Sequence, residues 1–407
     1  MKRAQRASKA LLIGMAIFFT ASVLRAPITS LGALSLSVRT DLGLSAATMG
    51  SLTTLPLLIF AVSSAFMSTI SDRFGKKRVA SVGMGMVALG ILLRSYGGDV
   101  GLFGGTVVLG AGISAGNVLL PAIIKESFPL RIGAMTALYT TTMSVFAGGF
   151  AGICTPLMDA LGEWRVVLVL IVPLACIAAL LWLISNAPDG HHGSVSGAGE
   201  VEPEPSRRTL SVFHPRILRQ PLTWWITLQF GLQSILFYCM VAWLPSMLAA
   251  RGISGGSVAL CVALFPLMGI PCTMFLPPLA QKMRSQRGLG AGIGVLCTVG
   301  IALLWWAPTD GWAVFAVGFF GLALGAPFCL CMFYLGYRTG NADDAARLSG
   351  IVQTLGYLMA AIGPTCLGLI YDLTSSWGMT FGLLFILTCG LILSGWKTGS
   401  GTISQGS

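Results

Sequence analysis

The long apolar stretches of this 407-residue chain contain no acidic residue and no histidine in their middle portions. Only 10% of the residues are charged and 55% are hydrophobic, which is more apolar surface than a water-soluble protein of this length can bury. The sequence also lacks a phosphate-binding glycine loop, a metal-ligand cluster and a nucleophile beside a base. It therefore predicts an all-α membrane protein that is not an enzyme and needs no cofactor or metal.

The ten cysteines are scattered singly through apolar stretches. Cys329 and Cys331 are two residues apart and would face different ways on a helix, which argues against a shared metal or a disulfide. They are interpreted as small apolar packing residues.

Twelve apolar stretches are long enough to cross a bilayer. The first is interpreted as an uncleaved helix and not as a secretory signal, because it exceeds the usual length of a signal and eleven more follow. The predicted spans are 11–37, 46–70, 79–96, 101–124, 132–157, 165–186, 221–249, 254–280, 288–307, 311–335, 345–371 and 376–396.

The formal charge of +11 does not mark a nucleic-acid partner, because its distribution follows the membrane. When the spans alternate from a cytoplasmic N-terminus, twenty basic residues fall on the inner side, which agrees with the positive-inside rule. Both termini are then cytoplasmic, and the expected location is the inner membrane. The outer side keeps only Arg39, Arg94, Arg165 and Arg251.

Polar residues 187–220 interrupt the apolar rhythm and predict a flexible cytoplasmic linker. They divide the chain into two six-helix bundles, 1–186 and 221–407. An offset of 209 residues superposes the halves and places segment 72–78 over the degenerate segment 281–287. Pseudo-symmetric bundles of this kind bind solutes between them, near the middle of the bilayer.

Arg25 is the strongest candidate for a binding residue, because it lies deep in the first span with no acid at similar depth. A cation there costs roughly 2.5–3.5 kcal/mol unless water, carbonyls or an anion receive it, so an anionic or electron-rich small molecule is the predicted partner. The alternative is that Arg25 extends to the membrane interface.

Other polar residues inside the spans are predicted to orient the solute. Asn117 lies among small residues and either lines the pore or makes a helix–helix hydrogen bond. Gln229 and Gln233 are one turn apart and predict a polar stripe. The full predicted substrate-binding set is Arg25, Thr29, Asn117, Tyr139, Gln229, Gln233, Tyr238 and Gln353.

Segment 68–78, which reads Ser-Thr-Ile-Ser-Asp-Arg-Phe-Gly-Lys-Lys-Arg, strongly resembles the major facilitator signature between helices two and three, with Ser68 where glycine is usual. The resemblance implies that this loop locks the two bundles on the inner face, with its acid near residues 343–347. The predicted gating residues are Asp72, Arg73, Gly75 and Lys76. The alternative is that the charges only set topology.

Further segments resemble the cyanate permease and nitroimidazole exporter branch of that superfamily. They are residues 24–30, 52–56, 116–121, 232–245 and 348–364, although Ala26 separates Arg25 from Pro27 where the branch has Arg-Pro. The resemblance implies a secondary active transporter for cyanate-like or 2-nitroimidazole-like solutes, working as a monomer in the lipid bilayer. A proton-coupled multidrug pump is the alternative, and it is disfavoured by the missing embedded carboxylate. A membrane sensor is a further alternative, but it would need a soluble output domain, and the longest soluble segment in the sequence is the linker.

Overall fold

The computed structural model describes residues 2–44, 46–186 and 215–401. In these ranges the chain forms seventeen α-helices and one short 3-10 turn at residues 129–131. The helices are α1 (Lys2–Val23), α2 (Ala26–Ala33), α3 (Ser35–Leu42), α4 (Ala46–Phe74), α5 (Lys76–Tyr96), α6 (Gly98–Ser127), α7 (Ile132–Leu161), α8 (Trp164–Val169), α9 (Val172–Ser185), α10 (Pro215–Leu218), α11 (Pro221–Ala249), α12 (Gly255–Leu267), α13 (Ile270–Lys282), α14 (Arg287–Trp305), α15 (Asp310–Tyr337), α16 (Ala342–Thr374) and α17 (Trp377–Thr398).

The described residues contain twelve helical segments that are long and apolar enough to cross a membrane, which confirms the predicted spans. Three of them are interrupted. The first is divided between α1 and α2, the sixth between α8 and α9, and the eighth between α12 and α13. Proline lies near each interruption, where it lacks the N–H that a continuous helix needs.

The helices form two related six-span bundles. In the first half, α5 packs on α6 and α9, and α1 packs on α7 and α9. In the second half, α14 packs on α15 and α17, and α11 packs on α16 and α17. Adding 209 to the bounds of α5, α6 and α7 gives 285–305, 307–336 and 341–370, which overlap α14, α15 and α16. The repeat seen in the sequence is therefore a structural repeat.

The most extensive contacts between the bundles are made by two pairs of helices that the repeat relates to each other. One pair is α4 with α16, and the other is α13 with α7. Of the predicted linker, residues 187–214 lie outside the described residues, and α10 is a short helix that contacts α11 and α16. The region enclosed by the two pairs contains the cavities described next.

Candidate functional site

Arg25 lies at the break between α1 and α2, where it is the N-cap residue of α2 with φ −127° and ψ −32°. Pro27 follows in the first turn of α2, and its ring prevents α1 from continuing through this point. The Arg25 side chain lines two neighbouring cavities between the bundles, of about 340 and 240 Å³. This position supports the binding prediction over the alternative that Arg25 extends to the membrane interface.

Aromatic rings, and not carboxylates, surround the Arg25 guanidinium. Its Cζ lies 4.8 Å from the ring centre of Phe237 on α11 and 4.6 Å from that of Phe328 on α15. Each ring face attracts the cation by roughly 0.5–2 kcal/mol but offers no oxygen to its N–H groups. Among the described residues, no side chain forms an ion pair or hydrogen bond with this guanidinium. Its donors are free to bind a solute.

The larger cavity is mainly apolar and aromatic, with a few polar groups that converge on it. Phe237, Phe265 and Phe328 contribute rings to its wall, and Ser144 and Gln233 contribute polar groups. The Gln233 amide oxygen accepts a hydrogen bond from the neighbouring Ser234 hydroxyl at 3.3 Å. This composition is typical of sites for small organic molecules.

The smaller cavity shares Arg25 and Phe328 with the larger one and is also lined by Asn117, Tyr238 and Tyr357. The proximity of two phenolic hydroxyls and one amide to a cation gives this cavity both donors and acceptors. Such a set can orient a polar ring or a small anion.

A buried hydrogen-bond network lies behind Asn117 and crosses between the bundles. The Tyr139 hydroxyl donates to the Asn117 side-chain oxygen at 3.0 Å. From the other bundle, the Gln353 amide donates to the Asn117 backbone oxygen at 3.0 Å and to the Ser349 hydroxyl at 2.8 Å. The Gln353 side-chain oxygen is buried and has no hydrogen-bond partner among the described residues. Asn117 therefore both lines the cavity and bonds to a neighbouring helix.

Two of the predicted binding residues are engaged elsewhere. The Thr29 hydroxyl donates to the backbone oxygen of Ala147 on α7 at 2.9 Å. The Gln229 side-chain oxygen accepts from the Thr398 hydroxyl on α17 at 2.5 Å, and Gln229 does not line either cavity. Neither side chain presents its polar group to the space around Arg25, because each faces a neighbouring helix of its own bundle.

Sequence reasoning did not identify Phe328, Phe237 and Ser144 as cavity residues. Ser144 carries a usable signal, because the 209-residue offset places it over Gln353. Phe328 carries none, since it is one of 21 phenylalanines in an apolar chain. Among the described residues, no three His, Cys, Asp or Glu side chains cluster as metal ligands would.

The loop after α4 connects the bundles at the ends that the charge pattern predicts to face the cytoplasm, called the inner ends. The Arg347 guanidinium donates to the Asp72 carboxylate at 3.1 Å, and the Lys76 ammonium donates to the Asp343 carboxylate at 2.6 Å. Gly75, between α4 and α5, has φ +87°, a conformation that side-chain-bearing residues rarely adopt. Arg73 is exposed and lies over the Phe74 ring at 5.4 Å.

The related loop after α13 makes the symmetry-related connection without charge. Gln281, which the repeat places over Asp72, accepts from the Gly133 backbone N–H at 2.5 Å and donates to the Leu130 backbone oxygen at 3.1 Å. The Lys125 ammonium adds a bond to the Thr339 backbone oxygen at 2.5 Å. These ends of the two bundles are therefore joined by the ion pairs of Asp72 and Lys76, by the hydrogen bonds of the Gln281 amide and by that of the Lys125 ammonium.

At the opposite ends, which are the predicted outer ends, two charged groups connect elements of a single bundle. Asp41 accepts from the Trp164 indole at 3.1 Å and pairs with Arg165 at 2.9 Å, and these hydrogen bonds lower the pKa of the Asp41 carboxyl. In the other bundle, Arg251 donates to the Leu304 backbone oxygen at 2.5 Å, and burial lowers its pKa. Each contact stabilises the outer end of its own bundle.

Two related six-span bundles, with cavities between them and cross-bundle bonds at one end, have the architecture of a membrane transporter and not of an enzyme. Residues 10–364 match the Major Facilitator Superfamily, and the chain belongs to that family.

Its relatives also place it in the branch that the sequence motifs indicated. The chain is 35% identical to the "Uncharacterized transporter YycB" of Bacillus subtilis (strain 168), over 90% of this chain and 88% of that protein. It is 33% identical to the "2-nitroimidazole transporter" of Escherichia coli (strain K12), over 89% of each chain. It is 24% identical to the "Cyanate transport protein CynX" of the same organism, over 91% of this chain and 92% of that one.

The fold matches solved structures of the superfamily. The proton:xylose symporter XylE, bound to 6-bromo-6-deoxy-D-glucose, superposes with a TM-score of 0.76, over 98% of each chain and with 12% sequence identity. At this identity the likeness concerns the fold alone. The family match over residues 10–364 confirms the resemblance to the superfamily inferred from segment 68–78.

Proposed function

We propose that this protein moves a small anionic or polar aromatic solute across the cytoplasmic membrane by alternating access. The observation that carries the proposal is the Arg25 guanidinium, which lines both central cavities and has no protein acceptor among the described residues. A half-buried cation inside the membrane domain is stabilised when a solute supplies the missing oxygen or nitrogen acceptor.

The lining of the cavities favours a compact, planar solute. The two cavities have empty volumes of about 340 and 240 Å³, which include space open to solvent. The Phe237 and Phe328 rings offer flat apolar surfaces beside the cation. Cyanate and 2-nitroimidazole, the solutes that name two of the relatives, are both small and have flat or linear shapes.

The guanidinium favours the second of these two solutes. Arginine presents N–H donors in a planar fork that matches a pair of oxygens on one atom. A nitro group or a carboxylate supplies such a pair, whereas cyanate presents only one terminal atom at a time. We therefore expect 2-nitroimidazole-like solutes to bind more tightly than cyanate-like ones.

The proposed site consists of Arg25 as the anchor, with Asn117, Gln233 and Tyr238 as orienting groups. Tyr139 and Gln353 act behind Asn117 and connect it to both bundles. Thr29 and Gln229 support the helices that carry these groups. The proposed inner gate consists of Asp72, Arg73, Gly75 and Lys76.

Alternating access requires the segments 1–186 and 221–407 to move as two bodies joined by the linker 187–220. The positive-inside charge pattern supports cytoplasmic termini, and the complete site within one chain supports a functional monomer. A reporter fused after Ser407 tests the topology, since an external reporter would contradict it.

The alternative of a proton-coupled multidrug pump has less support. Such pumps use a membrane-embedded carboxylate to attract cationic drugs and carry the proton. In the part of the chain that the structure describes, the cavities are lined by a cation and contain no carboxylate. This arrangement repels cationic drugs.

The test is uptake and efflux of labelled 2-nitroimidazole and cyanate in proteoliposomes. Arg25→Ala removes a charged donor whose hydrogen bond is worth about 1.5–3 kcal/mol, so KM should rise roughly 10- to 150-fold. Arg25→Lys keeps the charge but loses the fork, so it should recover cyanate transport better than 2-nitroimidazole transport.

Two further variants serve as comparisons for the Arg25→Ala result. Phe328→Ala removes one ring beside the guanidinium and should weaken binding about 2- to 30-fold. Arg165→Ala removes an outer arginine that pairs with Asp41 and does not line the cavities, so it serves as the control. Normal transport by folded Arg25→Ala protein would refute the assigned site.

A further inference from the structure

Arg94 is a second arginine that has no carboxylate partner among the described residues, and it is only 2% exposed. It lies in the last turn of α5, on the outer side that the charge pattern predicted. Its Nη2 donates to the backbone oxygen of Pro27 in α2 at 2.8 Å. Its Nε is buried and finds no hydrogen-bond acceptor among the described residues.

A neutral donor would satisfy the Pro27 oxygen with a smaller desolvation cost, so the charge of Arg94 calls for an explanation. Ionisable residues inside a membrane domain are expensive and usually serve function. Neither cavity is lined by Arg94, so it does not contact a solute in them. Its hydrogen-bond partner, however, is two residues from Arg25.

The helix that carries Arg94 is held rigidly. A Cβ added to Gly105 on α6 would lie 2.4 Å from the Arg94 backbone nitrogen, and one added to Gly90 would lie 2.5 Å from the Leu109 backbone nitrogen. The backbones of α5 and α6 are therefore in direct contact, with no side chain between them. The Arg94 side chain therefore extends to α2 from a rigidly packed helix pair.

The helix that carries Arg25 needs such a support. Because the helix is interrupted between α1 and α2, continuous backbone hydrogen bonds do not fix the rotation of α2. Among the described residues, the side-chain bonds that connect α2 to its neighbours include those of Arg94 to the Pro27 oxygen and of Thr29 to the Ala147 oxygen. The first bond runs from α5 to α2 and the second from α2 to α7. Together they restrict both the tilt and the rotation of α2.

We propose that Arg94 is a positioning residue that holds the first turn of α2 and thereby aims Arg25 into the central cavities. The proposal rests on the proposed function for the role of Arg25, but the tether itself is independent of the solute. Loss of the tether should let α2 rotate and should lower solute affinity more than it lowers the maximal rate.

The experiment compares wild type with Arg94→Met, Arg94→Gln and Arg94→Lys. Met removes the donor at similar length, and Gln is too short to reach the Pro27 oxygen, whereas Lys keeps charge and a donor. Both Met and Gln should raise the KM for 2-nitroimidazole about tenfold or more, with Lys recovering most of the loss. The maximal rate and the unfolding temperature should change little.

A solute-free measurement separates this proposal from the proposed function. In Arg94→Met and Arg94→Gln, amide hydrogen exchange of residues 26–33 should accelerate, while exchange in α11 stays unchanged. Arg251→Met is the matched control, because Arg251 also donates to a backbone oxygen at the outer side but has no contact with α2. It should leave both exchange in α2 and KM within about twofold of wild type.

The outcomes are distinct. Unchanged exchange of residues 26–33 in folded Arg94→Met or Arg94→Gln would overturn the tether, whatever the transported solute. Faster exchange with an unchanged KM would overturn the positioning role. If wild type binds neither labelled solute, the proposed function fails, and the exchange result still decides the tether. If Arg94→Met does not fold, Arg94→Gln decides both questions.

Discussion

The ion pair between Asp72 and Arg347 should hold the inner ends of the bundles together, and Asp72→Asn tests this directly. The pair joins α4 to α16 at 3.1 Å, and its side chains are only 15% and 21% exposed. The neighbouring pair of Lys76 with Asp343 is shorter, at 2.6 Å, but Asp343 is 39% exposed. Solvent therefore screens the second pair more strongly than the first.

The expected magnitude follows from this difference. Two unit charges about 4 Å apart attract by about 4 kcal/mol at an effective dielectric constant of 20, before the cost of desolvation and side-chain ordering. A net loss of about 1–2 kcal/mol in Asp72→Asn would raise the ratio of inward-open to inward-closed protein about 5- to 30-fold. For Asp343→Asn, a value of about 0–1 kcal/mol gives at most about a fivefold change.

The assay is thiol labelling of Ser68→Cys from the cytoplasmic side. Ser68 is buried, and its hydroxyl lies 3.8 Å from the position of a Cβ added to Gly350 across the interface of the bundles. Opening of the inner ends exposes this position. The wild-type background, labelled in parallel, accounts for the native cysteines. Equal labelling rates in the Asp72→Asn and wild-type backgrounds would refute a gating role for this pair and leave only topology.

Three further predictions concern other parts of the molecule. Gln281→Ala removes the uncharged connection to Gly133 and should increase opening of the inner ends about 3- to 10-fold. Because the lost hydrogen bonds are uncharged, the increase should be insensitive to salt, and a strong salt dependence would contradict this. The lowered pKa of Asp41 means that its bonds stabilise the fold above its ordinary pKa of about 3.9 and that this contribution is lost as pH falls through the lowered value. Between pH 5 and 3 the unfolding temperature of wild type should therefore fall more steeply with decreasing pH than that of Asp41→Asn. Parallel plots of unfolding temperature against pH would disprove this. Gly105→Ala should lower the free energy of unfolding by about 1–3 kcal/mol and lower the unfolding temperature in detergent. Gly104→Ala, which has open space around it, should do neither. Equal unfolding temperatures of the two variants would contradict the close packing of α5 on α6.

Physical constraints that act along the chain made the architecture predictable. Backbone groups in a bilayer must bond within their own helix, so apolar length alone identified the twelve spans. The distribution of basic residues predicted which loops face the cytoplasm, and the 209-residue offset predicted the two bundles. The acid in segment 68–78 was predicted to lie near residues 343–347, and the structure places Asp72 beside Arg347. Arg25 was singled out because an unpaired charge at that depth has few stable environments.

Only the tertiary structure decided which side chains meet around Arg25. Apolar side chains face lipid as readily as they face another helix, so hydrophobic periodicity does not reveal which face of a membrane helix points inward. Gln229 and Gln233 have similar sequence surroundings, yet one bonds to Thr398 within its bundle and the other lines a cavity. The phenylalanine rings beside the cation, and the bond from Arg94 to Pro27, arise from how α2, α5, α11 and α15 are rotated and packed.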